Sequence, residues 1–258
     1  MKCSILLLVA FLFFGCSGIE DEKRNGERIV SISPSVTATV VAIGAGDKIV
    51  GRSAFCTSVD KTIPVVGDLH EIDYERLLRL QPTKVFVQET AAGIDSHLLE
   101  LANQSFFTLH AWKCDRVNEI LYMHDSMIQL LNIESELLQI TLQGSQPALL
   151  GTFLIMTPGA ENNAGLSFGK ETYLDDVLQL MGGTNAIEST GWVSLTLEDI
   201  AKLNPSIIVI VSDSQFKVSK GILSLDIPVI SFIHSEVLVP SSRITEVARE
   251  LQQKLLAQ

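Results

Sequence analysis

Three groups of residues in this chain have the types and order that covalent or metal chemistry needs. Gly165-Leu166-Ser167-Phe168-Gly169 has the Gly-x-Ser-x-Gly form of a nucleophile elbow, and Asp213 and His234 follow in hydrolase order. That reading predicts a serine hydrolase with Ser167, Asp213 and His234. An elbow needs a strand running straight into its serine, and the polar Glu161-Asn162-Asn163-Ala164 stands in front of this one. His70, His110 and His234 with Glu89 offer donors for a zinc or manganese ion. They have no tight ligand spacing, and scattered histidines of this kind are the pattern of structural or surface residues. Cys56 and Cys114 both follow strand-like runs. Gly44-Ala45-Gly46 follows a helical run and lacks a third glycine, so it is no dinucleotide fingerprint.

Cys16 carries a different chemistry. Lys2 precedes an apolar run from Ile5 to Phe14, then Gly15-Cys16-Ser17-Gly18. Ten apolar residues are too few for a spanning helix, which needs about 20. The pattern reads as a secretory signal over 1–15, and the Cys after a small residue resembles the lipobox of bacterial lipoproteins, where the thiol is acylated. Residues 16–27 read as a polar tether to the lipid.

The elements that must position such residues come as short β-branched runs alternating with helical periodicity. Arg28–Ser33, Lys48–Gly51, Lys84–Gln88 and Phe106–His110 precede a long amphipathic stretch, and Ala148–Met156, Ile207–Val211 and Val229–Phe232 follow it. This predicts an α/β fold of two parallel-sheet lobes: 28–114, a linker helix region 115–146, and 147–258. Asp115–Asn132 is the cleanest helix, with Asp115 as its cap and His124 as a hydrogen-bonded core residue.

The lobes echo each other. Glu75-Arg-Leu-Leu-Arg-Leu-Gln-Pro82 precedes one strand and Glu198-Asp-Ile-Ala-Lys-Leu-Asn-Pro205 another, with Glu, Leu and Pro all offset by 123. Parallel sheets bind ligands beyond the carboxyl ends of their strands. The loops at Ser33-Pro34-Ser35, Arg52–Phe55, Gln88-Glu89, His110–Trp112, Ser212-Asp213 and His234–Glu236 would then line one cleft.

Composition narrows the classes. The 258 residues are 47% hydrophobic and 19% charged, which supports a packed core and argues against global disorder. A balance of 19 basic against 30 acidic residues, net −11, disfavours a phosphate-tracking protein, so no nucleic acid partner is expected.

Five stretches in order resemble the periplasmic substrate-binding proteins of ABC importers for cobalamin, ferric siderophores and haem. They are RIVSISPSVTATVVAIGAGDKIVG, VVGDLHEIDYERLLRLQPTKVFV, SFGKETYLDDVLQLMGGTNAI, GWVSLTLEDIAKLNPSIIVIV and VPSSRITEVARELQQKL. The resemblance implies two α/β lobes joined by one long helix, limited lobe closure, and capture of a ligand between the lobes without catalysis or a cofactor. It implies a monomer that docks on a permease dimer through Glu75 and Glu198. An expected ligand-binding set is Ser33, Pro34, Ser35, Phe55, Leu69, His70, Gln88, Phe168, Trp192, His234 and Glu236. Arg52, Phe55 and Trp112 suggest an anionic, partly aromatic iron chelate. In the cobalamin branch an aromatic lies six residues before each docking Glu. Trp192 fits before Glu198, whereas Leu69 stands before Glu75. The family's strand order, 2-1-3-4, would put Cys56 and Cys114 on opposite edges of the first sheet. Three strand spacings are roughly 14 Å, too far for a disulfide, so two free thiols are expected.

Overall fold

The computed structural model describes residues 26–140, 149–159 and 165–257. The signal segment, Cys16 and nearly all of the tether lie outside the described residues. Four strands, β1 (Ile29–Ser31), β2 (Ile49–Arg52), β3 (Lys84–Gln88) and β4 (Thr108–Trp112), form an all-parallel sheet in the order β2-β1-β3-β4. The order matches the expected 2-1-3-4. Between the strands run α1 (Pro34–Ala42), α2 (Tyr74–Arg79) and α3 (Ser96–Asn103). Pro34 opens α1 at a position where a missing N–H costs nothing.

The second sheet departs from the expectation of purely parallel strands. Its members are β5 (Thr152–Met156), β6 (Leu166–Phe168), β7 (Thr184–Asn185), β8 (Trp192–Ser194), β9 (Ile207–Ser212) and β10 (Val229–Ile233). Strands β10, β9 and β5 are parallel, but β6 runs antiparallel to both β5 and β8. The cause is local: β5 ends at Met156 and β6 starts at Leu166, a connection shorter than the dozen or so residues that a parallel crossover needs. The helices of this half are α5 (Tyr173–Leu180), α6 (Leu197–Leu203), α7 (Lys220–Leu223) and the C-terminal α8 (Ile244–Leu256).

The halves are joined by α4 (Val117–Leu130), 14 residues and therefore about 21 Å long. Its start differs from the expectation. Arg116, not Asp115, is the N-cap, because Glu119 reaches back and its Oε2 accepts from the Asp115 and Arg116 amides at 3.0 and 3.1 Å. Residues 133–140 form no second linker helix.

Strand alternation splits the core into three. One set of side chains (Ile29, Phe86 and Trp112 from the first sheet, Phe153, Ile155, Val209 and Val211 from the second) packs with α4's Ile120, Met123 and Met127 into a single cluster spanning both halves. The alternate residues Val30, Val85 and Val87 face the outer layer with Leu77 of α2. Leu154, Met156, Ile208 and Ile210 do the same with Ile200 of α6. The two echoed helices thus cover equivalent outer faces. Ser242 N donates to Thr39 Oγ1 at 3.2 Å, a further tie between the halves.

His124 is buried, with Nε2 3.4 Å from the Glu136 carbonyl and Nδ1 without a partner among the described residues. Cys56 and Cys114 are free, buried thiols. The Cys114 thiol is pushed up to about 12 by burial and by Asp115 and Glu119, which makes it unreactive.

Candidate functional site

Trp192 is the large aromatic that the fold leaves accessible beside the junction of the halves. It opens β8, directly opposite Phe168 on β6. Phe168 is fully buried and its ring centroid lies 4.2 Å from that of Trp192. Phe168 therefore supports Trp192 from below, and Trp192 remains 47% exposed. The supporting ribbon is rigidly tied: Gly169 N donates to the Gly191 carbonyl and Gly191 N to the Lys170 carbonyl, both at 2.8 Å. A Cβ on Gly169 would sit 2.4 Å from the Ser189 carbonyl oxygen, so only glycine allows this approach.

In front of Trp192 is a cavity of about 390 Å³ walled from both sides of the molecule. Lys113, Asp115, Arg116 and Glu119 come from the end of β4 and the start of α4, and Glu171, Thr172, Thr190 and Gly191 come from the second half. Gln88 pairs with Trp112 in the sheet register, and Glu89 N donates to the Trp112 carbonyl at 2.8 Å, so the cavity lies beside the carboxyl ends of β3 and β4. Arg116 fixes the wall. Its guanidinium grips both oxygens of Asp176 on α5, with Nε contacts of 3.0 and 2.9 Å, and Asp176 Oδ2 also accepts from Val117 N at 2.9 Å. This clamp aligns the first turn of α4 with the second half.

Other expected ligand residues are distributed around the first sheet. Ser33, at the end of β1, donates to Gln88 Oε1 at 3.1 Å, and Ser35 is buried in the first turn of α1 beside Pro34. Leu69 and Gln88 line a space of only about 20 Å³ with Ile32 and Leu98, too small for a ligand. His70 is exposed in a turn where Asp68 accepts from its amide at 2.8 Å. Phe55 is 65% exposed. His234 and Glu236 sit where β10 turns toward α8 and do not line the Trp192 cavity: Glu236 N donates to His234 Nδ1 at 3.1 Å, and Glu236 pairs with Arg243 at 3.2 Å. A larger hollow of about 620 Å³ near Ile233 and Arg249 belongs wholly to the second half.

Three readings from the sequence are corrected. Ser167 is mid-strand, fully buried, and three strand positions from β10, roughly 14 Å. It cannot meet His234, so the triad of Ser167, Asp213 and His234 does not form. The metal set fails as well. His110 is packed in the aromatic group of Phe86 and Trp112, and the His/carboxylate cluster among the described residues is His234 with Glu246 and Glu250, not His70, His110, His234 and Glu89. In that cluster Nδ1 of His234 already accepts a backbone N–H, so its proton sits on Nε2 and no lone pair faces the carboxylates. Finally, of Arg52, Phe55 and Trp112, the residues read as favouring an anionic aromatic chelate, two are occupied within the fold. Arg52 is buried and donates to the carbonyls of Ile63, Ser53 and Lys61, and Trp112 is buried with its Nε1 donating to Ser126.

Glu75 and Glu198 occupy matching places. Each is the second residue of its helix, after the N-caps Asp73 and Thr196, whose side chains accept from Arg76 N and Asp199 N. Their side chains are 83% and 77% exposed, and each pairs with a base one turn on, Arg79 and Lys202. The match reaches the backbone: Gln81 and Asn204, also 123 apart, both take left-handed φ values, 45° and 44°. Each ends its helix before the proline.

Two sheets held by one helix, with an aromatic cavity at their junction, give a two-lobe architecture. Residues 29–105 match the family model for periplasmic binding proteins. That description agrees with the resemblance carried by the motifs. The chain is 27% identical over 205 residues to the uncharacterized ABC transporter substrate-binding lipoprotein YvrC of Bacillus subtilis, covering 72% of this chain and 64% of that one. The chain thus spans less than two thirds of that relative's length. It is 24% identical to a vitamin B12-binding protein of Yersinia pseudotuberculosis, with 98% of this chain and 92% of that one aligned. Among solved structures, the periplasmic haem-binding protein BhuT with two haems superposes with a TM-score of 0.68 at 18% identity, covering 89% of this chain and 97% of that one.

Of the residues named from the sequence, Trp192 lines this cavity, and Glu75 and Glu198 lie at equivalent exposed positions. Sequence reasoning missed Lys113, Asp115, Arg116, Glu171 and Thr190. Arg116 and Asp176 lie 60 residues apart, and no local pattern pairs them.

Proposed function

We propose that this chain is an extracytoplasmic, lipid-anchored substrate-binding protein. It captures an iron-siderophore, haem or corrinoid ligand between its lobes and delivers it, as a monomer, to an ABC importer permease dimer, without chemistry on the ligand. The observation that carries this reading is the Trp192 cavity, walled by both lobes and backed by a buried aromatic. Its roughly 390 Å³ lies within the range of about 300–1,000 Å³ typical of small-molecule sites. The equivalent, exposed Glu75 and Glu198 supply one carboxylate per lobe for basic residues on a two-fold permease. Acylated Cys16 would hold the protein at the membrane.

The test uses the Trp112→Phe variant, in which Trp192 is the remaining tryptophan. Haemin, aquacobalamin or a ferric siderophore should quench its emission and raise the melting temperature. At a ligand concentration 100 times the Kd the stabilisation should be about 2.7 kcal/mol. A panel that changes neither emission nor melting would overturn the reading. Cys16→Ser should separately abolish membrane fractionation and labelling by a palmitate analogue.

A further inference from the structure

Resting on the binding reading above, the geometry points to a ligand of neutral or positive net charge, with hydrogen-bond donors on its rim and a flat or apolar face toward Trp192. The charges around the cavity decide this. Its wall carries Asp115, Glu119 and Glu171 against Lys113 and Arg116. Arg116 is already engaged, gripping both oxygens of Asp176. Lys113 is exposed and has no carboxylate partner among the described residues. Glu119 uses one oxygen to accept two backbone amides, which leaves its negative charge in place. Counting Asp115, Glu119 and Glu171 against Lys113 alone, the wall is negative.

Two other cations offer no relief. Arg52 is buried and spent on three backbone carbonyls, and Lys170 is paired with Glu188. No arginine fork is therefore open to grip a carboxylate or phosphate in this cavity. A ligand rimmed with carboxylates or catecholates would set like charges together in a partly enclosed space, which is repulsive. Ionised carboxylates only accept hydrogen bonds, so a matching ligand must present amide N–H, ammonium or hydroxyl donors. The exposed indole face of Trp192 adds attraction for a cation.

The experiment titrates the Trp112→Phe chain with four probes at low and high salt. Two are cationic, the ferric complex of an ammonium-bearing linear trihydroxamate and aquacobalamin. Two are anionic, haemin and a ferric tris-catecholate. At least one cationic probe should bind, more weakly at high salt, and more tightly than either anionic probe. Glu171→Gln and Asp115→Asn, checked for unchanged melting temperature, should each weaken it by about fivefold. If an anionic probe binds tightest, or if both neutralised variants bind the cationic probe as well as the parent, the charge assignment is overturned while the binding reading stands. If no probe quenches Trp192, the binding reading itself falls, and this assignment with it.

Discussion

The two halves of the molecule carry equivalent glutamate-bearing helices but different segments leading into them. In the first half, the segment from Leu69 to Asp73, which leads into the helix of Glu75, is a loop: Gly67 bridges Ile72, Asp68 closes a turn on His70 and Glu71, and Leu69 packs toward the outer core. In the second half, Trp192 to Glu198 begins as strand β8, hydrogen-bonded into the sheet and supported by Phe168. The helices that follow agree in cap, carboxylate, basic partner and left-handed exit. What is shared is the part that would meet a symmetric partner, and what differs is the part that would meet an asymmetric ligand. The apolar contact to a ligand is thus predicted to come from one side of the cavity, and delivery to use both halves.

The largest effect that would break this comparison is on affinity. Trp192→Ala removes a half-exposed ring backed by a buried one, the arrangement of a binding hot spot. The variant should lose about 2 kcal/mol, roughly 30-fold in Kd by calorimetry, whereas Leu69→Ala should change Kd by less than about threefold. Equal losses would make the apolar contact two-sided. Next come the charge reversals. Glu75→Arg or Glu198→Arg should each cut uptake by about tenfold, and the double variant further, while ligand Kd stays within about twofold, because exposed rim charges govern encounter and register.

Smaller effects concern what holds the halves in place. Asp176→Asn removes the partner of Arg116 and weakens the acceptor for Val117 N. A loss of about 1–2 kcal/mol in unfolding free energy is expected from denaturant titration, discounted because Arg116 is 35% exposed. The smallest is a pH effect in the first half. The Tyr74 hydroxyl donates to Asp95, and this bond, followed by the Leu98 amide, holds the Asp95 carboxyl below its ordinary value of 3.8. A depressed carboxyl pKa contributes stability above the unfolded value and loses it as pH falls through the folded value. Tyr74→Phe should therefore cost about 1 kcal/mol at neutral pH, and the difference from the parent should shrink below about pH 4. A difference that persists in acid would assign the loss to packing instead.

Much of this was legible in the chain. The β-branched runs marked the central strands because buried parallel strands are continuously apolar, although their ends shifted by a few residues, as from Phe106–His110 to Thr108–Trp112. The Glu, Leu and Pro of the repeat were readable, but its shared left-handed exit at Gln81 and Asn204 was not, because glutamine carries no left-handed signal. The β6–β8 ribbon was not, because three-residue strands such as Leu166–Phe168 carry too little pattern to reveal their direction. The cavity wall was only half legible. Trp192 had a spacing to betray it, but Asp115 and Glu171 become neighbours only after α4 has brought the halves together. The Gly-x-Ser-x-Gly match misled because the motif fixes composition, whereas an elbow depends on a turn that β6 does not make.

The most direct test of the central claim measures binding and delivery on the same set of proteins. Parent, Trp192→Ala and the Glu75→Arg/Glu198→Arg double variant would be compared for ligand Kd by calorimetry and for uptake of the same radiolabelled ligand in cells lacking the chromosomal copy. The account predicts a split: Trp192→Ala loses both affinity and uptake, whereas the double variant keeps parental affinity and loses uptake. If the double variant loses affinity in step with uptake, or if Trp192→Ala keeps both, the division between an aromatic contact from one half and a docking surface on both is wrong.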